Sequence, residues 1–210
     1  MNAKHPRNLS PTAEQDARAL LRHLPPLPAP ARRPVVVVLS GLPGTGKSTF
    51  GKRLGQRVPL AVLESDALRR LLVRVPTYAA EESARLFDAI HQLIGELLGQ
   101  RVPVLLDATN LVEAHRQQVY AIAEKHHALL LVVRLEAPRE TVRQRLARRA
   151  QDEAREDSSE AGWEVYERMR PSVETIQRPH LVIDTSRDLE PAVSRLAQEV
   201  QAWLAGEQPE

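Results

Sequence analysis

The chain contains no cysteine, which excludes disulfides, thiolate metal sites and cysteine nucleophiles within it but leaves the redox compartment undecided. Aromatic residues make up only 3% of the 210 residues, so Leu, Val, Ile and Ala must build the core. No apolar run approaches the roughly 18–20 residues needed to span a bilayer. The first residues, 1–10, are polar and lack the apolar segment of a signal peptide. We therefore expect a cytoplasmic protein with no membrane partner.

Charge is nearly balanced, with 29 Lys and Arg residues against 27 Asp and Glu residues and a formal net charge of +2. Almost all of the cations are arginine, which suits planar, bidentate contacts with phosphate groups. The alternative explanation of the high arginine content is a GC-rich genome that favours arginine codons. The small excess of positive charge neither requires nor excludes nucleic acid as a partner.

The most informative segment follows an apolar, β-branched run at residues 35–39 and precedes a helix-compatible stretch at 48–58. It has the pattern G-x-x-x-x-G-K-S, formed by Gly41, Leu42, Pro43, Gly44, Thr45, Gly46, Lys47 and Ser48. This strand–loop–helix context is the one that a P-loop requires. Glycines let successive N–H groups point inward around an anion, and the following helix N-terminus adds partial positive charge. A glycine-rich turn without a ligand is the alternative that this context disfavours.

In a P-loop the lysine reaches the β- and γ-phosphates and the serine hydroxyl lies on Mg²⁺. We therefore expect residues 41–49, including Lys47, Ser48 and Thr49, to bind ATP, with Mg²⁺ as the second cofactor. No Asn-Lys-x-Asp segment occurs in the chain, so nothing indicates a guanine-specific switch.

The rest of the chain alternates between strand and helix patterns. Residues 1–33 form an N-terminal segment, with a predicted helix at 12–23 that docks on the main domain and a proline-rich linker at 25–30. The main domain spans 34–206. Its predicted strands are 35–40, 60–64, 102–106, 128–135 and 180–184, and its predicted helices are 48–58, 67–73, 80–98, 113–126, 138–151, 163–170 and 189–204. This alternation predicts an α/β fold, a five-stranded parallel sheet with helices on both faces.

Ligands of such a sheet bind at the carboxyl ends of the strands, and three of these ends carry candidate site residues. The first leads into the P-loop, the second ends in Ser65 and Asp66, and the third ends in Asp107 and continues to Asn110. Asp66 would be a general base that accepts the proton of an attacking hydroxyl; the alternative is a helix N-cap. Asp107 resembles a Walker-B aspartate, which would hold the water shell of Mg²⁺ together with Ser48; the alternative is a cap or turn residue.

Three arginines and one asparagine complete the candidate site. Arg69 lies one helical turn after Asp66, so it would face the same cleft and bind a phosphate of the acceptor. Asn110 would orient the substrate or the start of the next helix. Arg145 and Arg149 share one helix face just before a polar stretch, as lid arginines would, and can neutralise charge on the moving γ-phosphoryl group. A solvated basic helix is the alternative for this pair.

Taken in order, these segments resemble the small P-loop kinases, which include the kinase domain of polynucleotide kinases, the zeta toxins and the gluconate-kinase-like enzymes. The resemblance covers about residues 34–186 and is carried by the P-loop, Ser65-Asp66-x-x-Arg69, Tyr78, Asp107-Ala-Thr-Asn110 and Arg145-x-x-x-Arg149. It implies a P-loop kinase fold with a helical lid around 139–170. It also implies a general-base role for Asp66, a nucleic-acid phosphate contact for Arg69, and an acceptor and metal region around Asp107. Residues 157–161, with 163–169, resemble the lid-to-helix stretch of the broader family.

The expected activity is transfer of the γ-phosphate of ATP to a hydroxyl, first of all the 5′-OH end of DNA or RNA, with Lys47, Asp66, Arg145 and Arg149 as catalytic residues. A small-molecule kinase acting on a sugar, nucleoside or antibiotic hydroxyl is the alternative, because many family members have such acceptors and this chain lacks the repair domain that polynucleotide kinases often carry. A further alternative is a non-catalytic ATP-binding switch that engages a partner through residues 1–33.

Overall fold

Five runs of β-branched and aliphatic residues form one parallel sheet. In this computed structural model, which describes residues 11–151 and 162–206, the strands are β1 (Val35–Ser40), β2 (Ala61–Glu64), β3 (Val104–Asp107), β4 (Leu129–Glu136) and β5 (His180–Asp184). Their order is β2-β3-β1-β4-β5, and every neighbouring pair is parallel. The predicted five-stranded parallel α/β fold is therefore confirmed.

All of the predicted helices are present, with ends within three residues of those expected. They are α1 (Pro11–Leu21), α2 (Lys47–Gly55), α3 (Ser65–Leu72), α4 (Ala80–Gly99), α5 (Glu113–Lys125), α6 (Arg139–Gln151), α7 (Trp163–Met169) and α8 (Glu190–Ala205), with a short 3₁₀ turn at Arg170–Ser172. Two strands, β2 and β3, are each one residue shorter than predicted. β3 begins at Val104 rather than Val102 because Pro103 has no N–H group to donate to a neighbouring strand.

The two faces of the sheet carry separate apolar cores, and β1 divides its side chains between them. Val36 and Val38 pack against α1, α3, α4 and α5, while Val35, Val37 and Leu39 pack against α2 and α8. All five side chains are fully buried, as expected for a central strand covered by helices on both faces. None of the described helices is long and apolar enough to cross a membrane.

The N-terminal helix α1 is part of the first of these cores. Its Ala17 and Leu20 are fully buried against α4, and Asp16 accepts two hydrogen bonds from Arg85, of 2.6 and 2.7 Å. The chain then returns along the domain, where Ala31 donates its N–H to the Arg101 carbonyl oxygen at 2.9 Å. Residues 1–10 of the predicted N-terminal segment, and residues 152–161 of the predicted lid, lie outside the described residues.

The strand order places the carboxyl ends of β2, β3 and β1 side by side. The register pairs Asp107 of β3 with Leu39 of β1 on one side and with Glu64 of β2 on the other. The P-loop, the start of α3 and the β3–α5 loop therefore emerge at the same edge of the sheet.

Candidate active site

The P-loop follows β1 and depends on three glycines with positive φ angles. The φ angles are +155° at Gly41, +77° at Gly44 and +88° at Gly46. A Cβ atom at Gly41 would lie 2.4 Å from the Leu135 carbonyl oxygen, so no other residue fits there. Gly46 is the N-cap of α2 without a side-chain cap, which leaves the N–H groups of the first helical turn for an anion.

Lys47 lies at the start of α2 and is half-buried. Its Nζ donates a hydrogen bond of 3.1 Å to the Leu42 carbonyl oxygen within the P-loop. Burial lowers the pKa of Lys47 below its usual value; the negative charges of Asp107 and Asp66 act in the opposite direction, and the positive charge of Arg149 lowers the pKa further. These four charged groups come from the P-loop, β3, α3 and α6. The fold therefore brings the predicted lysine, both predicted aspartates and one predicted lid arginine within electrostatic range of one another.

Asp66 lies in the first turn of α3 and is not its N-cap. The helix begins at Ser65, and Glu64 occupies the N-cap position. The N-cap interpretation of Asp66 is therefore wrong, although its charge still favours the positive end of the helix. Asp66 is half-buried and lies within electrostatic range of Lys47.

Asp107 ends β3 and is 4% exposed, and Ser48 lies in the first turn of α2. Among the described residues no cluster of three or more His, Asp or Glu side chains could hold a metal ion. A single hydroxyl and a buried carboxylate nevertheless fit Mg²⁺, because this ion keeps several waters and takes ligands from the substrate phosphates. Thr49, next to Ser48, is exposed.

Asn110 connects the β3–α5 loop to the entrance of the P-loop. Its Nδ2 donates to the Leu39 carbonyl oxygen at 2.6 Å, and its own carbonyl oxygen accepts from the Ser40 hydroxyl at 3.0 Å. The Gly41 N–H donates to the Thr109 carbonyl oxygen at 3.0 Å. The Asn110 side-chain amide thus holds the scaffold of the P-loop, whereas the sequence had suggested a substrate contact or a role at the start of α5.

Arg116 is a buried organising residue that sequence reasoning missed. It is 1% exposed, and its guanidinium donates to the Asn110 carbonyl oxygen and, at 3.0 Å each, to the carbonyl oxygens of Glu174 and Thr175. It also forms an ion pair with Glu113. No local pattern distinguishes this arginine from a surface one, because two of its carbonyl partners, those of Glu174 and Thr175, lie 58 and 59 residues away along the chain.

Arg69 is directed towards α4. It is 5% exposed, forms an ion pair with Glu82, and lies 4.6 Å from the centroid of the Tyr78 ring. Glu82 also accepts the N–H and the hydroxyl of Thr77, each at 2.7 Å. These hydrogen bonds from Thr77, followed by those from Arg69 and Tyr78, lower the pKa of Glu82 to about 2. The charge of Arg69 is therefore balanced by Glu82 within the protein. The sequence had predicted only a contact between Arg69 and a phosphate of the acceptor.

The two predicted lid arginines differ in their surroundings. Arg145 donates to the Thr185 hydroxyl at 2.8 Å and to the Thr185 carbonyl oxygen at 2.7 Å. Arg149 instead contributes to the electrostatic field at Lys47. Both side chains are half-buried, while the other arginines of α6 are exposed, namely Arg139, Arg143 and Arg148. The solvated-helix interpretation therefore applies to those three residues.

A cavity of about 330 Å³ adjoins the first half of the P-loop. Leu42, Leu111, Tyr166 and Ile176 form apolar parts of its wall. Charged side chains also line it, including Arg134 and Arg170. The cavity has a volume within the range of small-ligand sites and the mixture of apolar and polar lining that such sites have.

Comparison with known proteins relates this geometry to one family. The model of the AAA_33 family, described as an AAA domain, matches residues 36–176. L-seryl-tRNA(Sec) kinase of Methanococcus maripaludis is 29% identical over 106 residues, which cover 50% of this chain and 42% of that protein. The chain thus spans less than half of the length of this curated relative.

Several solved structures share the fold. Kti12 of Chaetomium thermophilum in complex with ADP-AlF3 has a TM-score of 0.65 at 20% identity, covering 81% of this chain and 99% of that one. APS kinase CysC of Mycobacterium tuberculosis in complex with AMPPNP and APS has a TM-score of 0.58 at 19% identity, covering 84% and 99%. A gluconokinase of Sinorhizobium meliloti has a TM-score of 0.56 at 20% identity, covering 82% and 99%. At these identities the similarity concerns the fold.

Proposed function

Since the chain belongs to the AAA_33 family of P-loop kinases, we propose that it transfers the γ-phosphate of ATP to a hydroxyl group of an acceptor. This membership confirms the resemblance to small P-loop kinases that the sequence motifs carried. The observation that supports the proposed activity is the convergence of Lys47, Asp66, Asp107 and Arg149 on the P-loop.

Each of these groups has a defined task in the proposed reaction. The P-loop N–H groups and Lys47 bind the phosphates. Asp66 accepts the acceptor proton as the hydroxyl oxygen forms a bond to the γ-phosphorus, while the bond from that phosphorus to the bridging oxygen breaks and ADP leaves. Arg149 neutralises negative charge on the transferring group. When bound, Mg²⁺ would be held by Ser48 and, through water, by Asp107, and it would neutralise charge on the phosphate oxygens.

We assign the acceptor hydroxyl to a nucleic acid, first to the 5′-OH end of DNA or RNA. Two exposed arginines, Arg70 and Arg74, lie on and just after α3, the helix that carries Asp66, where they can contact a phosphate backbone. The relative from Methanococcus maripaludis is an L-seryl-tRNA(Sec) kinase, so a substrate that contains RNA occurs among the relatives of this chain.

A small-molecule acceptor is the second candidate, and the cavity beside the P-loop is the observation that favours it. Its volume of about 330 Å³ suits a compact ligand such as a sugar or a nucleoside. Its wall includes Leu42, whose carbonyl oxygen accepts the hydrogen bond from Lys47, so a bound hydroxyl would lie close to the transferring phosphate.

The experiment is transfer of labelled γ-phosphate from ATP and Mg²⁺ to a 5′-OH oligonucleotide and, in parallel, to a panel of sugars and nucleosides. Wild-type protein should label the oligonucleotide, Lys47→Ala should not, and Asp66→Asn should bind ATP normally but turn over at least 100-fold more slowly, about the loss expected for a missing proton acceptor. Labelling of small molecules alone would favour the second candidate. Full biological function in the Asp66→Ala variant, together with its loss in Lys47→Ala, would instead indicate a non-catalytic ATP-binding switch.

A further inference from the structure

Tyr78 has a backbone conformation that a bulky residue adopts only under constraint. Its φ angle is +57°, in the left-handed region, where a side chain with a Cβ atom is disfavoured. The conformation is held by Glu82, which accepts the Tyr78 N–H at 3.3 Å and both donors of the preceding Thr77. Backbone strain of this kind persists where surrounding contacts impose it and is frequent at ligand sites.

The strained conformation leaves the ring at the surface. Tyr78 is 44% exposed, and it alone is exposed among the two Trp, three Tyr and two Phe residues, all of which lie in the described part of the chain. Burial of the ring therefore does not offset the strain. A half-exposed aromatic ring is instead suited to contact a ligand that is absent when the protein is alone.

The Arg69 guanidinium, whose charge is balanced by Glu82, lies over the Tyr78 ring. The Arg69 guanidinium carbon lies 4.6 Å from the ring centroid, and Arg69 is paired with Glu82 and contacts the Ser83 hydroxyl at 3.4 Å. Because Glu82 holds both the cation and the Tyr78 backbone, the ring orientation is fixed from two directions. An aromatic ring fixed in advance loses little conformational entropy when a planar group stacks on it.

The position of the ring relates it to the acceptor. Arg69 follows Asp66 by one helical turn of α3, and the Tyr78 ring, in the loop after this helix, contacts Arg69. Arg70 and Arg74, both exposed, precede the segment that leads to Tyr78. An aromatic ring beside arginines is the combination that binds single-stranded nucleic acid, with bases on the ring and phosphates on the cations.

We propose that Tyr78 is a binding residue for the acceptor and stacks on a nucleobase near its reacting end. The proposal rests on the function proposed above, because it assumes a nucleic-acid acceptor. It also changes the role expected of Arg69: the arginine acts on the acceptor through the ring that it supports, as a positioning residue.

The test uses a single-stranded DNA oligonucleotide with a 5′-hydroxyl and 2-aminopurine as its 5′-terminal base, whose fluorescence is quenched on stacking. Wild-type protein and Tyr78→Phe, with Mg²⁺ and a non-hydrolysable ATP analogue, should bind and quench the probe. Tyr78→Ala should bind about tenfold or more weakly and lose the quenching, since one stacked base contributes a loss of that order. Val75→Ala, a change at a residue of the same segment that is 72% exposed, is the matched control and should resemble wild type.

An oligonucleotide that lacks its 5′-terminal base separates base stacking from other roles of the ring. Tyr78→Ala should have little effect on binding of this abasic probe, and an equal loss of affinity for both probes would overturn the proposal. Wild-type affinity and quenching in Tyr78→Ala would also overturn it. So would a failure of the wild-type protein to bind the 2-aminopurine probe. These readouts require no turnover. Stacking without phosphate transfer to any acceptor would overturn the proposed kinase activity alone.

Discussion

Arg145 and Thr185 are joined by two hydrogen bonds, from the guanidinium to the threonine hydroxyl at 2.8 Å and to its carbonyl oxygen at 2.7 Å. The same hydroxyl donates to the Thr45 carbonyl oxygen of the P-loop at 2.8 Å. Arg145 therefore connects α6 to the P-loop through the residue that follows β5. This arrangement distinguishes it from Arg149, whose charge acts at Lys47.

The first prediction separates these two arginines. Arg149→Ala should lower kcat by about 100-fold or more, the loss expected when one group that stabilises the transferring charge is removed, with little change in melting temperature. Arg145→Ala should lower the melting temperature and weaken ATP binding, because Thr185, which donates to the Thr45 carbonyl oxygen of the P-loop, loses both of its hydrogen bonds from the arginine. Steady-state kinetics, ATP titration and thermal unfolding of both variants check this. The opposite assignment, with kcat lost only in Arg145→Ala, would contradict it.

The second prediction concerns the first glycine of the P-loop. Gly41→Ala should abolish ATP binding and destabilise the protein, because its Cβ would lie 2.4 Å from the Leu135 carbonyl oxygen at a φ angle of +155°. Gly55→Ala is the matched control at the end of α2, where the nearest atom to a new Cβ would be 3.8 Å away. That change should leave ATP binding intact and leave stability equal or higher by about 0.5–1 kcal/mol, the helix-propensity difference between glycine and alanine. ATP titration and chemical denaturation compare the two.

Much of the fold could be predicted because its signals are local. The apolar run of β1, the glycine pattern that follows it and the polar residues after Glu64 and Leu106 lie within short segments of the sequence. Parallel strands joined by helices then dictate that these segments meet at one edge of the sheet. The approach of Asp66 and Asp107 to Lys47 follows from that topology alone.

The partners of individual side chains could not be predicted in the same way. Arg69 faces Glu82, Asn110 faces the Leu39 carbonyl oxygen, and Arg145 faces Thr185, each at a separation along the chain that the sequence pattern does not encode. In each case the residue type indicated a polar role, while tertiary packing decided which polar group it met. Thr185 carried a weak signal, since it directly follows a strand that ends in Asp184 at the ligand-binding edge.

The third prediction uses the lowered pKa of Lys47. The folded protein disfavours the charged lysine relative to the unfolded chain, so the protonated form destabilises the fold, and this effect disappears as pH rises through the lowered pKa towards 10.5. Without nucleotide, Lys47→Met should therefore melt at a higher temperature than wild type near pH 7. The difference should shrink as pH rises. Calorimetry across pH checks this, with the exposed Lys52→Met as control; a difference independent of pH would contradict the burial argument.

The fourth prediction concerns acid stability. The pKa of Glu82 is lowered to about 2 from its usual 4.5, chiefly by hydrogen bonds from Thr77, so its carboxylate stabilises the fold above pH 4.5 and that contribution is lost as pH falls from 4.5 to 2. Glu82→Gln should thus unfold more readily than wild type at pH 7, and the two melting temperatures should converge between pH 4.5 and 2. The neighbouring Glu81→Gln, at an exposed position, should match wild type throughout. Parallel melting curves for Glu82→Gln and wild type at every pH would refute this.

The last prediction concerns the attachment of α1 through Asp16 and Arg85. The Asp16 side chain is 12% exposed, whereas that of Arg85 is 52% exposed, so removing either partner has unequal consequences. Arg85→Ala leaves a largely buried carboxylate uncompensated and should destabilise the protein by about 1.5–3 kcal/mol, while Asp16→Ala leaves an arginine that can turn to solvent and should have a smaller effect.

Glu14 and Arg18 form an exposed ion pair on the same helix, and Glu14→Ala should lower stability by no more than about 0.5 kcal/mol. ATP affinity should stay unchanged in all three variants because α1 packs on α3 and α4 rather than on the P-loop. Denaturant unfolding of the single variants and the Asp16→Ala/Arg85→Ala double variant measures the coupling, and equal losses for the buried and exposed pairs would show that the Asp16–Arg85 pair does not fasten α1 to the core.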